Sequence, residues 1–188
     1  MIQGFKLIFA LVIGLLTANV VNAGIITGNP NGHITVVEFF DYQCPHCRVM
    51  ARNVTQAIKS NQNVRVVSRV IPVMDGSSWF IARAALAARK QQGFHKFNAL
   101  LMQEENYISK EQTMQLAKIA GLDLNRLQKD MHDSEISAEL NANLQASQAE
   151  GINVVPATII SHKSAQHKPV KIIGDKSVSY LEGLFKEL

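Results

Sequence analysis

Ile34-Thr35-Val36-Val37-Glu38-Phe39-Phe40-Asp41-Tyr42-Gln43-Cys44-Pro45-His46-Cys47 is the stretch on which the fold turns. Its first half, Ile34 to Phe40, is rich in β-branched and aromatic residues. It reads as a short strand buried on both faces, as in a parallel or mixed sheet. The cysteine motif follows at once. From Pro45 to Ser60 the spacing changes: Cys47, Met50, Val54 and Ile58 recur every three or four residues, which predicts a helix. Asn61-Gln62-Asn63 ends it. Val64 to Val73 reads as a second strand, interrupted near its end by Pro72. Strand, helix, strand with one long crossover is a βαβ unit, expected to be right-handed.

Outward from this unit, Gly24 to Thr27 reads as a short edge strand and Asn29-Pro30-Asn31-Gly32 as a turn. Residues from about Ser77 to Glu150 have helical character throughout. Ser77-Ser78 is expected to cap a helix through Ala88, and Gly93, Asn106, Gly121 and Asp133 punctuate further helices. The Ala-rich and Leu-rich stripes there read as packing faces. After Gly151, Val154 to Ser161 and Val170 to Ile173 read as strands joined by the basic loop His162 to Pro169. Ser177 to Leu188 reads as a closing helix capped by Ser177. The expected class is α/β, with residues 24–76 and 151–188 forming one domain that a helical insertion, 77–150, divides.

The chain of 188 residues is 47% hydrophobic and 18% charged, ordinary for one soluble globular domain. Residues 1–23 are different in kind. Lys6 is their one charge, Leu7 to Leu16 is apolar, and small residues lead to Val21-Asn22-Ala23. This is the layout of a secretory signal peptide cleaved after Ala23. The alternative, a retained anchor, is disfavoured because the apolar run is short of the roughly 20 residues a spanning helix needs. Removal of Lys6 takes the net charge from +4 to +3, a mild excess that calls for no nucleic-acid partner.

Two cysteines, three positions apart, are all the chain has. A disulfide across so small a loop constrains the unfolded chain little, so chemistry explains the pair better than stapling. Cys44 sits where a strand gives way to a helix, and Pro45 takes the first helical position, where its missing N–H costs nothing. Cys44 is thereby expected at the N-cap, with its sulfur at the positive end of the helix dipole, where a thiolate is stabilised. His46 adds a neighbouring donor or positive charge. Cys47, one turn deeper, is expected to keep a higher pKa. Cys44 then reads as the exposed sulfur that exchanges with a partner, and Cys47 as the shielded resolver. Half of a zinc site is the rival reading, with His46, Cys44 and Cys47 as its core, but structural zinc wants four ligands and no second C-x-x-C exists. No metal and no cofactor is expected.

The run Glu38-Phe39-Phe40-Asp41-Tyr42-Gln43-Cys44-Pro45-His46-Cys47 resembles the DsbA family of thioredoxin-fold thiol–disulfide oxidoreductases, and Val154-Val155-Pro156-Ala157-Thr158 looks like that family's cis-proline loop. The resemblance implies a thioredoxin fold with an inserted helical domain. It implies a cis bond before Pro156, which sits against the Cys44 sulfur, and a Val155 backbone that pairs with an extended substrate segment. Glu38 matches the family's buried acidic residue. A charge inside this strand is anomalous on local grounds too, unless the position is a solvated edge. A buried carboxyl has a raised pKa and can exchange a proton with Cys47; Asp41 is a weaker candidate. No lysine partner for Glu38 can be placed in the second strand, although Arg65 and Arg69 lie there.

These residues point to an exported oxidase that introduces disulfides into reduced, unfolded periplasmic or secreted proteins. The resemblance implies reoxidation by a membrane quinone-linked partner of the DsbB type. About ten residues precede the first central strand after the cleavage point, too few for the N-terminal dimerisation domain of related isomerases, so a monomer is expected. A reductase or isomerase of the same compartment, or an exported metal-binding module, are the alternatives. His162, Lys163, His167 and Lys168 are expected to be a solvated hairpin tip.

Overall fold

The computed structural model describes residues 24–188; the expected signal peptide and its cleavage point lie outside the described residues. Among the described residues, five strands and seven helices follow in the order β1 (Ile25–Gly28), β2 (Ile34–Phe40), α1 (Pro45–Ala57), β3 (Val64–Val70), α2 (Gly76–Ala88), α3 (Phe94–Gln103), α4 (Lys110–Ile119), α5 (Leu124–Asp130), α6 (Ser134–Ala149), β4 (Ala157–His162), β5 (Val170–Ile173) and α7 (Val178–Glu187). They form a thioredoxin-like α/β fold. The strand order is β1-β3-β2-β4-β5. β2 runs parallel to β3, and the other neighbours are antiparallel.

Side-chain alternation along β2 sorts the core. Ile34 and Val36 face α1 and α7, where they join Met50, Val54, Ala57, Leu181 and Phe185. Phe39 faces the other way, into a smaller cluster with Ile71, Ile152 and Ala157. Burying each such side chain is worth about 1.5–3 kcal/mol. From the last residue of β2 onward, Phe40, Tyr42, Cys44 and Cys47 enter the largest cluster, which α2 to α6 complete. The cysteine motif thus lies at the seam between the sheet and the helices inserted after β3.

Several boundaries differ from the sequence expectations. β3 stops at Val70; Ile71 adds one bond to the Phe40 carbonyl, and Pro72 follows with no N–H to give. β4 begins at Ala157, because Pro156 cannot donate to the ladder. Helix α2 is capped by Asp75, whose carboxylate accepts from the Ser77 and Ser78 amides, so these serines occupy the first turn. Helix α1 ends at Ala57 rather than Ser60. Ser177 caps α7 as expected, accepting from the Tyr180 amide. Among the described residues, no helix is long and apolar enough to cross a membrane.

Candidate active site

Cys44 is the N-cap of α1, in extended conformation, with Pro45 opening the helix behind it. The Cys47 amide donates to Cys44 Sγ at 3.4 Å. On the other side the Cys44 thiol donates to the Val155 carbonyl at 3.7 Å, and Val155–Pro156 is a cis peptide bond. The motif helix and the proline loop therefore meet at one sulfur. The pair is in the dithiol form.

One expectation needs correction. Cys44 is not exposed: it retains 5% of its surface and Cys47 retains 1%. The Val155 carbonyl and the aromatic cluster around Phe40 and Tyr42 cover it. The expected asymmetry therefore arises from electrostatics. The Cys47 thiol, hydrogen-bonded to Cys44, is the largest influence that lowers the Cys44 pKa, from 9.0 to about 6 against the opposing effect of burial. The Cys47 and His46 amides add to it, and the His46 charge contributes least. Burial pushes the Cys47 thiol far up, and its hydrogen bond to Cys44 pushes it further. A thiolate at Cys44 is thus favoured near neutral pH, and a thiol at Cys47.

The His46 ring is exposed, and its charge lowers the Cys44 pKa in the expected direction, though least of the causes. Its Nδ1 lies 2.7 Å from Asp175 Oδ1, in the turn between β5 and α7. A carboxylate only accepts, so Nδ1 carries the proton. Asp175 had no signal in the sequence: it lies 129 positions from His46.

Glu38 is buried at the centre of the sheet, which excludes the solvated edge. Ser68 on β3 and Thr158 on β4 stand opposite it. The Ser68 hydroxyl donates to Glu38 Oε2 at 2.9 Å, while the buried Thr158 hydroxyl has no partner among the described residues. Burial raises the Glu38 pKa to about 7, with the Ser68 bond opposing. Neither Arg65 nor Arg69 stands opposite Glu38; Arg69 reaches Asn143 on α6. Glu38 opens on a cavity of about 400 Å³ between the sheet, α1 and α3, and neither cysteine lines it. Asp41 bears on Cys47 in two ways: a backbone hydrogen bond lowers that thiol's pKa, and the carboxylate charge raises it by the smallest of the influences.

Three further residues hold the motif. Asp41 accepts from the Gln43, Val73 and Met74 amides and from the Ser78 hydroxyl. Gln43 bonds both the amide and the carbonyl of Ile108 and the Ser77 hydroxyl. Arg48 is buried in α1 and donates to the Tyr42, Gln43, Glu104 and Asn106 carbonyls. Arg48 had no clear signal in the sequence, because Arg52 and Thr55 share its side of α1 at i+4 and i+7. The histidines of the β4–β5 hairpin are not at the site: His162 pairs with Ile34, at the opposite end of β2 from the motif, and its ring packs on His33 and His167. No group of three or more His, Cys, Asp or Glu among the described residues is arranged to hold a metal ion.

A thioredoxin-like sheet, a C-x-x-C pair capping α1 and the Val155 carbonyl of the proline loop against its first sulfur define the class: a DsbA-like protein thiol–disulfide oxidoreductase. A family model described as Thioredoxin matches residues 21–173, and the chain belongs to that family. The fold is similar to that of a thioredoxin-like oxidoreductase from Silicibacter pomeroyi DSS-3, at 33% identity and a TM-score of 0.80, covering 88% of this chain and 91% of that one. It is also similar to a periplasmic thioredoxin-like protein from Salmonella enterica serovar Typhimurium, at 26% identity and a TM-score of 0.75, covering 97% and 98%. In sequence it is similar to the thiol:disulfide interchange protein DsbA of Burkholderia cepacia, 23% identical over 71% of this chain and 66% of that protein. The chain spans less than a quarter of the length of two Salinispora Na(+)/H(+) antiporters that it also matches.

Proposed function

We propose that this protein is an exported oxidase that donates the Cys44–Cys47 disulfide to reduced, unfolded proteins of the periplasm. The observation that carries this reading is the opposed tuning of the two sulfurs, with Cys44 lowered to about 6 and Cys47 raised. A client thiolate attacks Cys44 Sγ of the disulfide, and Cys47 leaves and takes up a proton. A second client thiolate then attacks the client sulfur of the mixed disulfide and expels Cys44 as a thiolate. The client loses two electrons and the protein gains them. A low-pKa thiol leaves fast, and a stable thiolate makes the reduced protein favourable, which is the property of an oxidant.

Pro45, His46 and Pro156 frame the reacting sulfur in this reading, and the Val155 backbone meets the client as an added strand. Glu38 acts as a buried proton reservoir behind α1. The N-terminal 23 residues direct export and are removed after Ala23. The inserted helices, 77–150, act as one unit on a thioredoxin-like domain of 24–76 and 151–188. A monomer is reoxidised by a membrane quinone-linked protein of the DsbB type.

Equilibration with glutathione tests the direction of electron flow. A potential less negative than about −180 mV supports the oxidase, and one near about −270 mV overturns it in favour of a reductase. Cys47→Ser should trap mixed disulfides with clients through Cys44; recovery of none would remove the oxidoreductase reading altogether.

A further inference from the structure

Three consecutive residues of the β5–α7 turn fasten three parts of the active site. The Gly174 amide donates to the Pro156 carbonyl at 2.9 Å, which ties the turn to the proline loop. The Lys176 carbonyl accepts from Asn53 Nδ2 at 2.8 Å, which ties it to the third turn of α1. Between them, the Asp175 carboxylate takes the His46 Nδ1 proton at 2.7 Å. Gly174 has φ of +79°, a conformation that keeps the turn tight and that a side chain disfavours. Asp175 is therefore held from both sides by main-chain bonds and does not follow the imidazole; the imidazole is fixed by it.

We infer that Asp175 is a positioning residue for the exchange reaction, which acts on Cys44 only through His46; the inference rests on the oxidoreductase reading of the pair. The charged and titratable groups around the imidazole are few. On α1 they are Cys44, Cys47 and the buried Arg48, whose guanidinium is spent on carbonyls. On the facing turn they are Asp175 and Lys176, whose ammonium lies over the Tyr180 ring. Of the pair, the His46 charge is the one among the influences on Cys44, where it lowers the pKa, while the Asp175 carboxylate is bonded to Nδ1 of the ring. The carboxylate fixes the ring's placement beside the motif. Loss of the carboxylate then weakens the thiolate, lowers the stability of the dithiol form and makes the protein less oxidising.

Asp175→Asn, Asp175→Glu, His46→Ala and the double variant His46→Ala/Asp175→Asn test this. Asp175 is half-buried in a turn whose two main-chain ties do not involve its side chain, so the variants should fold. Two readouts apply: the pH midpoint of Cys44 alkylation by iodoacetamide, and the equilibrium with glutathione. An exposed charged pair supports an effect of about two- to fivefold. Asp175→Asn should therefore raise the alkylation midpoint by about 0.3–0.7 units and shift the potential about 10–20 mV more negative. Asp175→Glu should recover most of both, and Asp175→Asn should change nothing in the His46→Ala background. An equal shift in that background, or no shift in the parent, overturns the inference. The parent's absolute potential judges the oxidase reading separately, because the alkylation cycle reads Asp175 whichever way electrons flow.

Discussion

Glu38 stands directly opposite Ser68 in the parallel pairing of β2 and β3, and the Ser68 hydroxyl donates to its carboxyl at 2.9 Å. One neutral hydrogen bond is a poor substitute for water around a buried carboxylate. The group accordingly holds its proton up to about pH 7, against an ordinary 4.5. Between these values the folded chain binds a proton that the unfolded chain has released. Stability therefore falls as pH rises from 4.5 to 7 and stays lower above it. The full effect is about 3 kcal/mol. Glu38→Gln should flatten this slope and leave the variant more stable than the parent at pH 8. Urea titrations of the oxidised proteins at pH 5 and pH 8 check it, since oxidation removes the thiol titrations. Equal slopes in parent and variant would show that Glu38 is ionised throughout.

Cys44 carries the opposite sign. Its folded pKa is about 6 against 9.0, so in the dithiol form the unfolded chain binds the extra proton between those values. Stability of the reduced protein should rise with pH from about 6 to 9, by about 2 kcal/mol once solvent screening halves the full shift, and be lost as pH falls through 6. The oxidised protein lacks this gain. Reduced minus oxidised stability, measured in urea across pH 5 to 9, should show it. Iodoacetamide should label Cys44 with a midpoint near pH 6 and leave Cys47 unlabelled at pH 8; first labelling at Cys47 would invert the assignment.

Arg48 pins the residues just before Cys44 to the α3–α4 connection, through the Tyr42, Gln43, Glu104 and Asn106 carbonyls. Arg48→Met keeps much of the stem but strands these acceptors, and hydrogen bonds to a charged group are worth about 1.5–3 kcal/mol. With half of them re-solvated the loss is still about 3 kcal/mol, or about 6–12 °C in Tm for a chain of this size. Arg48→Lys should recover little, because one ammonium cannot reach acceptors on both segments. Thermal unfolding followed by circular dichroism reads this. A drop under 2 °C would mean that the segments are held by other contacts.

The sequence made the frame legible where a pattern has a local cause. The β-branched run Ile34 to Phe40, the three-and-four spacing from Cys47 to Ile58 and the caps at Cys44 and Ser177 each follow from neighbouring residues. So does the anomaly of Glu38 in a buried strand. The misses are long-range. The approach of the Val155–Pro156 loop to Cys44 was legible through the family resemblance alone, and nothing near His46 says that a turn after β5 supplies Asp175. The partner of Glu38 depended on register: a shift of one residue would have placed Arg69 opposite it, but the observed pairing gives Ser68. His46 lowers the Cys44 pKa in the direction its adjacency implies, but least of the causes, because the Cys47 thiol and the backbone amides act more strongly.

Asp41 is the last point at which stability and chemistry can be separated. Its carboxylate accepts from three amides and the Ser78 hydroxyl, which joins the end of β2 to the start of α2. Its charge also raises the Cys47 thiol, as the smallest of the influences and against the backbone hydrogen bond of the same residue, so a small effect is expected. Asp41→Asn keeps the shape but replaces one acceptor oxygen with an NH2 group, which then faces donors. Loss of charge-assisted bonds should cost about 2–4 kcal/mol. Removal of the negative charge should, at the same time, let Cys47 ionise more readily and so resolve mixed disulfides faster. Two measurements read the two effects: urea unfolding, and the lifetime of the mixed disulfide formed between a model peptide thiol and Cys44. A variant that loses stability with an unchanged mixed-disulfide lifetime would assign Asp41 to the framework alone.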